Sequence, residues 1–258
     1  MNLQSVFHSL DDVIKNNELH AFYQPVYDLK TKKIIGAEAL ARIIKKDGKV
    51  ISPMAFLPYI EDSKEALTLD WHIIEEVCAF LNGRKIRGLE LVPISINISK
   101  MHNYEADFVE KICKVVDKYS IPHNYIDLEL TEETLESFDE SAQDIMSKLR
   151  EKGFKLIVDD FGVGLSSLNF IRTVDIDALK VDRSIVMGEM SSEKDHIIVE
   201  TILFLGQKLG VDVVLEGVEN ENQFNRLKEM GCSKVQGFYL SKPIDSLSFE
   251  KLLRFSAK

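Results

Sequence analysis

The chain has 258 residues, of which 45% are hydrophobic, and its formal net charge is −10. This length supports a sizeable core in one domain and would equally allow two small domains. The acidic balance argues against nucleic acid or an anionic membrane as a partner, because the overall field repels both. A ligand that carries phosphate would therefore need local cations to hold it.

The cysteines and the hydropathy pattern restrict the class of protein further. Cys78, Cys113 and Cys232 are far apart in the sequence, and no CxxC pair is present. This pattern predicts neither a disulfide framework nor a zinc site, and it favours small buried side chains in a reducing, cytoplasmic compartment. No apolar run approaches the ~20 residues that a membrane span needs, so direct membrane insertion is not expected.

Strand-like segments alternate with helix-like segments along the chain. Helical spacing of apolar residues is clearest in Asn103–Ser120 and Glu193–Leu209. About eight strands that alternate with helices indicate a parallel sheet with helices outside it, and the chain length suits a closed (β/α)₈ barrel. The predicted strands are Ala21–Tyr27, Ile34–Ile43, Leu89–Ile98, Ile126–Thr131, Lys155–Asp159, Ala178–Asp182, Val211–Leu215 and Lys234–Leu240.

The start of the chain departs from the simple alternation. Only Asp28–Lys33 joins the first two predicted strands, and this stretch is too short for a crossover helix, so the two should pair antiparallel. We interpret residues 1–258 as one domain because no linker-like composition interrupts them. Residues 1–19 predict an amphipathic helix that caps the barrel or that continues from a sensor domain in a longer parent chain.

Polar side chains recur on one face at the ends of the predicted strands. Alternation along a strand separates Glu38 from Ala37 and Ala39, and it likewise places Asn97 and Glu129 opposite their apolar neighbours. We expect the polar faces to point into the barrel and to meet at its carboxyl-terminal mouth, where such barrels build their sites. The oxygen donors predicted to converge there are Glu38, Asn97, Glu129, Asp159, Asp160 and Glu216.

Carboxylates that converge in this way need a cation, because several cannot ionise together within ~4–6 Å. A donor set of oxygens alone selects hard ions such as Mg²⁺ or Mn²⁺. Lys180 either neutralises these acids or takes part in the reaction, by orienting or deprotonating a metal-bound water or by offsetting charge on a phosphorane-like transition state. Arg42, on the same face as Glu38, suits bidentate binding of a phosphate.

Eight short motifs occur in a fixed order along the chain. They are YQP at Tyr23, EALAR at Glu38, SINIS around Asn97, ELTE at Glu129, DDFG at Asp159, LKVDRS around Lys180, EGVE at Glu216 and QGF at Gln236. By these motifs the chain resembles an EAL domain, the family of cyclic di-GMP phosphodiesterases, from about Tyr23 to Pro243. The resemblance implies a modified TIM (β/α)₈ barrel with an antiparallel first strand, and hydrolysis of cyclic di-GMP to linear pGpG.

The resemblance also implies roles for single residues and two Mg²⁺ or Mn²⁺ ions. By this resemblance, the first ion is coordinated by Glu38, Asn97, Glu129 and Asp159. Asp159 also bridges to a second ion, which Asp160 and Glu216 help to hold. Lys180 matches the lysine that positions the attacking water, and Gln236 supports it, so the implied catalytic positions are Lys180, Glu38, Asp159 and Gln236. Implied substrate contacts are Gln24, Leu40, Arg42, Asp160, Asp182, Glu219 and Phe238.

The loop after Asp159 departs from the family pattern. Val163 replaces a hydroxyl residue and Leu165 replaces an aromatic residue, in a loop that Glu132 is expected to anchor and that links the site to a homodimer interface in the family. A longer parent chain could add a sensor or a diguanylate cyclase domain. Ca²⁺ is expected to inhibit by competing with the activating ions, because its longer coordination misplaces the reacting water.

Two other classes of function stay open at this point. One is an inactive cyclic di-GMP receptor or interaction module, although relatives of that kind typically lack several metal ligands. The other is a different metal-dependent barrel enzyme, such as an enolase-like lyase with a lysine base.

Overall fold

The computed structural model describes residues 9–105, 107–131, 134, 140–163, 171–172, 174–186 and 192–256. The strands are β1 (Leu19–Asp28), β2 (Ile34–Ile44), β3 (Val50–Ile51), β4 (Ile94–Asn97), β5 (Ile126–Thr131), β6 (Lys155–Phe161), β7 (Ala178–Val181), β8 (Asp212–Leu215) and β9 (Lys234–Val235). The helices are α1 (Leu10–Lys15), α2 (Lys64–Ile86), α3 (Phe108–Lys118), α4 (Glu140–Glu151), α5 (Arg183–Val186), α6 (Glu193–Leu209), α7 (Glu221–Glu229) and α8 (Ser246–Ser256).

Eight of these strands close into a barrel. The order around it is β1-β9-β8-β7-β6-β5-β4-β2, and β2 returns to β1, while β3 pairs with β2 outside the ring. β1 runs antiparallel to both of its neighbours, and the remaining pairs in the ring are parallel. The prediction of a modified TIM (β/α)₈ barrel with an antiparallel first strand is therefore confirmed.

The parallel register aligns the polar positions of neighbouring strands. Glu38 lies opposite Ser95, Asn97 opposite Glu129, and Thr131 opposite Asp159. Because alternate side chains point to opposite faces, the intervening residues face the helices and form the core with them. Ile94, Ile96 and Leu128 are examples, each at most 1% exposed.

Of the two helices predicted from the clearest apolar spacing, α6 is observed with the predicted bounds. A capping box at Ser192 starts it and Gly210, at φ +72°, ends it.

Other predicted elements differ from the observed ones at their ends. The third predicted strand is observed only as β4, since the residues before Ile94 include Pro93 and enter the barrel as a loop. Helix α3 starts at Phe108 rather than Asn103, because a 3₁₀ turn, Lys100–Tyr104, comes first.

The N-terminal and last predicted segments are also shorter than expected. Of the helix expected over residues 1–19, residues 1–8 lie outside the described part, and the described helix runs from Leu10 to Lys15. Asn17 then adopts a positive φ of 55°, and the chain enters β1 at Leu19. β9 ends at Val235, after which the chain turns across the barrel mouth.

An aromatic cluster fastens two helices to the outside of β1. The ring of Phe249 in α8 stacks on Tyr23 at 5.1 Å between centroids and lies 5.7 Å from Phe80 in α2. Phe249 is fully buried. This cluster therefore joins the last helix to the strand that closes the barrel.

We expect Phe249→Ala to lower the free energy of unfolding by about 3–5 kcal/mol, because it leaves a cavity between three rings. Urea unfolding followed by circular dichroism measures this change. Phe255→Ala is the matched control, since Phe255 lies in the same helix but is 76% exposed, and it should change stability by less than about 0.5 kcal/mol. Equal losses in the two variants would contradict the importance of the cluster.

Candidate active site

Four carboxylates surround the ammonium group of Lys180 inside the barrel. Lys180 is 2% exposed, and its side chain comes from β7. The carboxylates belong to strands β2, β5 and β6 and to the residue that follows β8, so distant parts of the sequence supply them. The distances from Lys180 Nζ are 3.0 Å to Glu38 Oε2, 3.0 Å to Glu129 Oε2, 3.2 Å to Asp159 Oδ1 and 2.7 Å to Glu216 Oε1.

Two amide side chains complete this group around Glu38. Asn97 Nδ2 donates a hydrogen bond of 3.1 Å to Glu38 Oε1, and Gln236 Nε2 donates one of 2.7 Å to Glu38 Oε2. Both amides lie at or just beyond the carboxyl ends of their strands. The Glu38 carboxylate is therefore held in one orientation by three donors from three different strands. Hereafter, the carboxylate ring means Glu38, Glu129, Asp159 and Glu216.

The carboxylate ring carries more negative charge than Lys180 alone can neutralise, and the pKa values of its members reflect this. Burial raises the pKa of Glu129 well above its usual value, and it raises the pKa of Glu216 to about 8. Burial also acts to raise the pKa of Glu38, but the charge of Lys180 and the hydrogen bonds to the carboxylate outweigh it and keep that pKa low. Without a further cation, the ring therefore keeps a proton near neutral pH.

The donor set fits a divalent metal ion. Oxygen atoms of Glu38, Glu129 and Asp159 lie within 4.8 Å of one another. Glu129 Oε1, Asp159 Oδ1 and Glu216 Oε1 are buried, and none of them has a partner with hydrogen-bond geometry among the described residues, although Asp159 Oδ1 and Glu216 Oε1 each form an ion pair with Lys180 Nζ. Buried carboxylate oxygens of this kind are costly unless a cation coordinates them, and oxygen donors favour Mg²⁺ or Mn²⁺.

The structure brings most, but not all, of the predicted metal ligands together. Asp160 follows Asp159 directly and therefore has the opposite parity, and it adopts a φ of +54° with an exposed side chain. Burial and the neighbouring charges of Asp159 and Asp182 raise the pKa of Asp160 to about 6. Asp160 thus belongs to the rim of the site, outside the contacts that Lys180 makes.

The predicted substrate positions are distributed around the mouth of the barrel. Gln24 is buried beside Glu38 in the β1–β2 register, whereas Leu40 and Arg42 are half-buried further along β2. Arg42 Nη1 donates to the carbonyl of Ala41 at 2.8 Å. The remaining predicted positions are Asp182, which caps the turn to α5 through Ser184 N, Glu219, which is exposed, and Phe238, which is 56% exposed.

The loop predictions fall largely outside the described residues. Glu132, the expected loop anchor, and Leu165 both lie outside them. Val163 is described and is 65% exposed at the end of the turn after β6. The expected link between this loop and a homodimer interface therefore stays a prediction.

Two glycines that sequence reasoning passed over determine how the last strands end. A Cβ atom on Gly237 would lie 2.1 Å from the carbonyl oxygen of Val218, and one on Gly217 would lie 2.2 Å from Cβ of Arg183. Each glycine thus permits a close approach next to a functional side chain, Gln236 or Glu216. The glycines stand in the QGF and EGVE motifs, but only the folded chain shows what they touch.

A separate polar cavity lies on the amino-terminal side of Lys180 and Glu129. Its volume is about 160 Å³, and its lining includes Ser95, Asp127 and Lys155. Burial raises the pKa of Asp127 to about 6. None of the predicted substrate positions lines this cavity, so the carboxyl-terminal mouth stays the candidate active site.

Comparison with known families and structures agrees with this geometry. A profile of the EAL domain matches residues 8–243. The chain therefore belongs to the EAL domain family. Among the helices that the structure describes, none combines the length and apolarity that crossing a membrane requires.

Curated relatives share the domain within longer chains. Signaling protein YkoW of Bacillus subtilis is 33% identical over 95% of this chain, which covers 30% of YkoW. Cyclic di-GMP phosphodiesterase NbdA of Pseudomonas aeruginosa is 31% identical over 95% of this chain, which covers 31% of NbdA. The chain thus spans about a third of the length of these relatives.

Solved structures of EAL domains superpose on almost the whole chain. The PaMucR phosphodiesterase in complex with c-di-GMP gives a TM-score of 0.88 at 28% identity and covers 95% of this chain and 99% of that one. An EAL domain protein from Listeria monocytogenes EGD-e gives a TM-score of 0.81 at 28% identity, with 99% of each chain covered. The barrel fold is therefore that of the family.

Proposed function

We propose that this chain is a metal-dependent phosphodiesterase that hydrolyses cyclic di-GMP to linear pGpG. The observation that carries the proposal is the carboxylate ring, in which buried oxygens face one another around Lys180 and need more positive charge than Lys180 supplies. Relatives named as cyclic di-GMP phosphodiesterases, and a structural neighbour solved with c-di-GMP, support the choice of substrate.

Most of the proposed ligands are donors that lie together in the barrel, and Asp160, at the rim, is the exception. Glu38, Asn97, Glu129 and Asp159 would hold one Mg²⁺ or Mn²⁺ ion, and Asp159, Asp160 and Glu216 would hold a second. When bound, such a pair of ions activates water for attack on phosphorus and stabilises the departing oxygen.

The chain's own residues then bind and orient the reactants. Lys180 Nζ lies within 3.2 Å of all four carboxylates of the ring, so with metal ions bound to those carboxylates its ammonium could turn a hydrogen towards a water in line with the phosphate. Gln236 fixes Glu38 and thereby the geometry of that water. In the reaction, a water gives up a proton as its oxygen bonds to phosphorus, the bond from phosphorus to the 3′ oxygen breaks, and the 3′ oxygen takes up a proton, so one proton is released and one is consumed.

The substrate is proposed to lie across the rim. Arg42 supplies a guanidinium that can pair with a phosphate, which the acidic chain needs because its overall field repels anions. Phe238 offers an exposed aromatic face on which a guanine base can stack. Gln24, Leu40, Asp160, Asp182 and Glu219 supply the other proposed contacts around the mouth.

One assay tests the proposed function directly. The purified chain is incubated with cyclic di-GMP and Mg²⁺ or Mn²⁺, and chromatography should detect pGpG. Tight binding of cyclic di-GMP without turnover would favour a receptor instead, and no binding at all would contradict both functions.

We expect Ca²⁺ to compete with Mg²⁺ without supporting turnover. Ca²⁺ takes more oxygen ligands at 2.3–2.6 Å, so the reacting water would sit too far from the phosphorus. Titrating Ca²⁺ into the assay at fixed Mg²⁺ should lower the rate, and excess Mg²⁺ should restore it. Equal turnover in Ca²⁺ alone would contradict the proposed coordination.

The oligomeric state, the cellular location and further domains of the parent chain are proposed from the sequence and the family resemblance. A homodimer, cytoplasmic localisation and a sensor or diguanylate cyclase domain elsewhere in the parent chain remain our predictions. Light scattering of the purified chain tests the homodimer.

A further inference from the structure

A buried histidine lies between two carboxylates immediately beyond the end of β4. His102 is 2% exposed, and its Nε2 lies 3.1 Å from Asp70 Oδ2 in α2. Its Nδ1 lies 2.7 Å from Glu105 Oε2. Both ring nitrogens therefore face acceptors, so the orientation of the ring is fixed from both sides.

Helices α2 and α3 continue this chain of contacts. Lys111 in α3 donates a hydrogen bond of 2.5 Å to Glu105 Oε1, and its ammonium lies 5.1 Å from the ring centroid of Trp71. Trp71 in turn meets the His102 ring edge-on, at 5.2 Å between centroids. The His102 ring is therefore held by the carboxylates at its two nitrogens and by the Trp71 ring packed against it.

The same Asp70 oxygen reaches the segment that follows a proposed metal ligand. Asp70 Oδ2 accepts a hydrogen bond of 2.8 Å from the backbone N–H of Ser99. Ile98 N donates to the carbonyl of Glu129 at 2.9 Å, and the adjacent Asn97 donates to Glu38. Asp70 therefore fixes the backbone two residues beyond Asn97, at the point where β4 leaves the barrel.

Stability alone is a weak reason for this arrangement. Desolvating buried charges costs several kcal/mol per ion, and apolar residues of similar volume often give equal or better stability. A network of directional hydrogen bonds, in contrast, fixes positions, and groups that orient metal ligands typically contribute 10- to 100-fold in metal affinity or activity.

We propose that Asp70 and His102 are positioning residues that hold the end of β4 and thereby set the affinity of the site for a divalent cation through Asn97. This inference rests on the proposed metal site. Neither residue touches the proposed substrate, so their substitution should alter cation affinity more than the KM for cyclic di-GMP measured at saturating Mn²⁺.

The test compares buried His102 with the partly exposed His123, which lies on the opposite side of the barrel. His102→Leu removes the contact to Asp70, whereas the control His123→Leu removes contacts to Lys152 O and Asp117 on the amino-terminal side of β5. Isothermal calorimetry with Mn²⁺ alone gives the affinity, and thermal unfolding in EDTA gives the stability. We expect Mn²⁺ affinity at least about tenfold weaker for His102→Leu and unchanged for His123→Leu.

Two further variants keep the test decisive. Asp70→Asn can still accept from Ser99 N and His102, so it should bind Mn²⁺ within about threefold of wild type. Glu105→Gln alters the outer contact and should weaken binding in the same direction even if His102→Leu does not fold.

The results separate this inference from the proposed function. Wild-type Mn²⁺ affinity in both His102→Leu and Glu105→Gln would overturn the positioning role alone. A wild-type chain that binds no Mn²⁺ would overturn the metal site, and the positioning role with it.

Discussion

Replacing Lys180 by methionine is expected to lower the free energy of unfolding of the metal-free protein by about 3–5 kcal/mol near pH 8. The ammonium group contacts all four carboxylates of the ring, and its removal leaves them buried without that counter-charge. Urea unfolding in EDTA measures the loss. Lys234→Met is the matched control, because Lys234 pairs with Asp212 near the surface and should contribute less than about 1 kcal/mol.

The loss in free energy of unfolding caused by Lys180→Met should grow as the pH rises. Burial and mutual repulsion raise the folded-state pKa of these carboxyls, as they already do for Glu216, whose pKa is about 8. A carboxyl with a raised folded-state pKa favours folding in its protonated form, so the variant should lose stability as the pH rises from about 5 to about 8. Saturating Mg²⁺ should narrow the deficit. A loss independent of both pH and Mg²⁺ would contradict this account of the site.

Substituting Glu38 by glutamine is expected to reduce the hydrolysis of cyclic di-GMP by about a thousandfold or more. Glu38 accepts hydrogen bonds from Asn97, Lys180 and Gln236 and lies in the oxygen cluster that fits a metal ion. Glutamine keeps the shape of the side chain but removes one anionic ligand. Chromatographic assay of pGpG under saturating Mg²⁺ measures the change, and Glu38→Ala should give the same result.

A second glutamate provides the control for this variant. Glu18, just before β1, pairs with Lys45 at 2.9 Å and stands outside the carboxylate ring. Glu18→Gln should therefore keep turnover within about twofold of wild type, since its ion pair contributes at most about 1 kcal/mol to stability. Comparable turnover in Glu38→Gln and wild type would contradict the role proposed for Glu38.

The alternation of side chains along the strands explains why much of the site could be predicted from the sequence. A period of two places Glu38, Asn97 and Glu129 on the inner face whatever the exact strand ends are. Parallel registers then align them, as the pairing of Asn97 with Glu129 shows. The antiparallel first strand followed from the length of one connection, Asp28–Lys33, which leaves no room for a crossover.

Other features depend on contacts that no local pattern encodes. Asp70 reaches Ser99 and His102 across 29 and 32 residues of sequence, and its helical neighbours give no sign of a polar role. Asp160 shared a motif with Asp159, but parity along β6 and its positive φ turn it to the rim. Gln236 follows a strand of two residues, too short for alternation to orient it, so only the family resemblance indicated a role.

Crystals of the chain soaked with Mn²⁺ and cyclic di-GMP test the central claim most directly, through the anomalous scattering of manganese. We expect two manganese peaks about 3.5–4 Å apart at the carboxyl-terminal mouth, in contact with Glu38, Glu129 and Asp159. Peaks elsewhere on the surface, or none at this mouth with cyclic di-GMP bound, would contradict this claim.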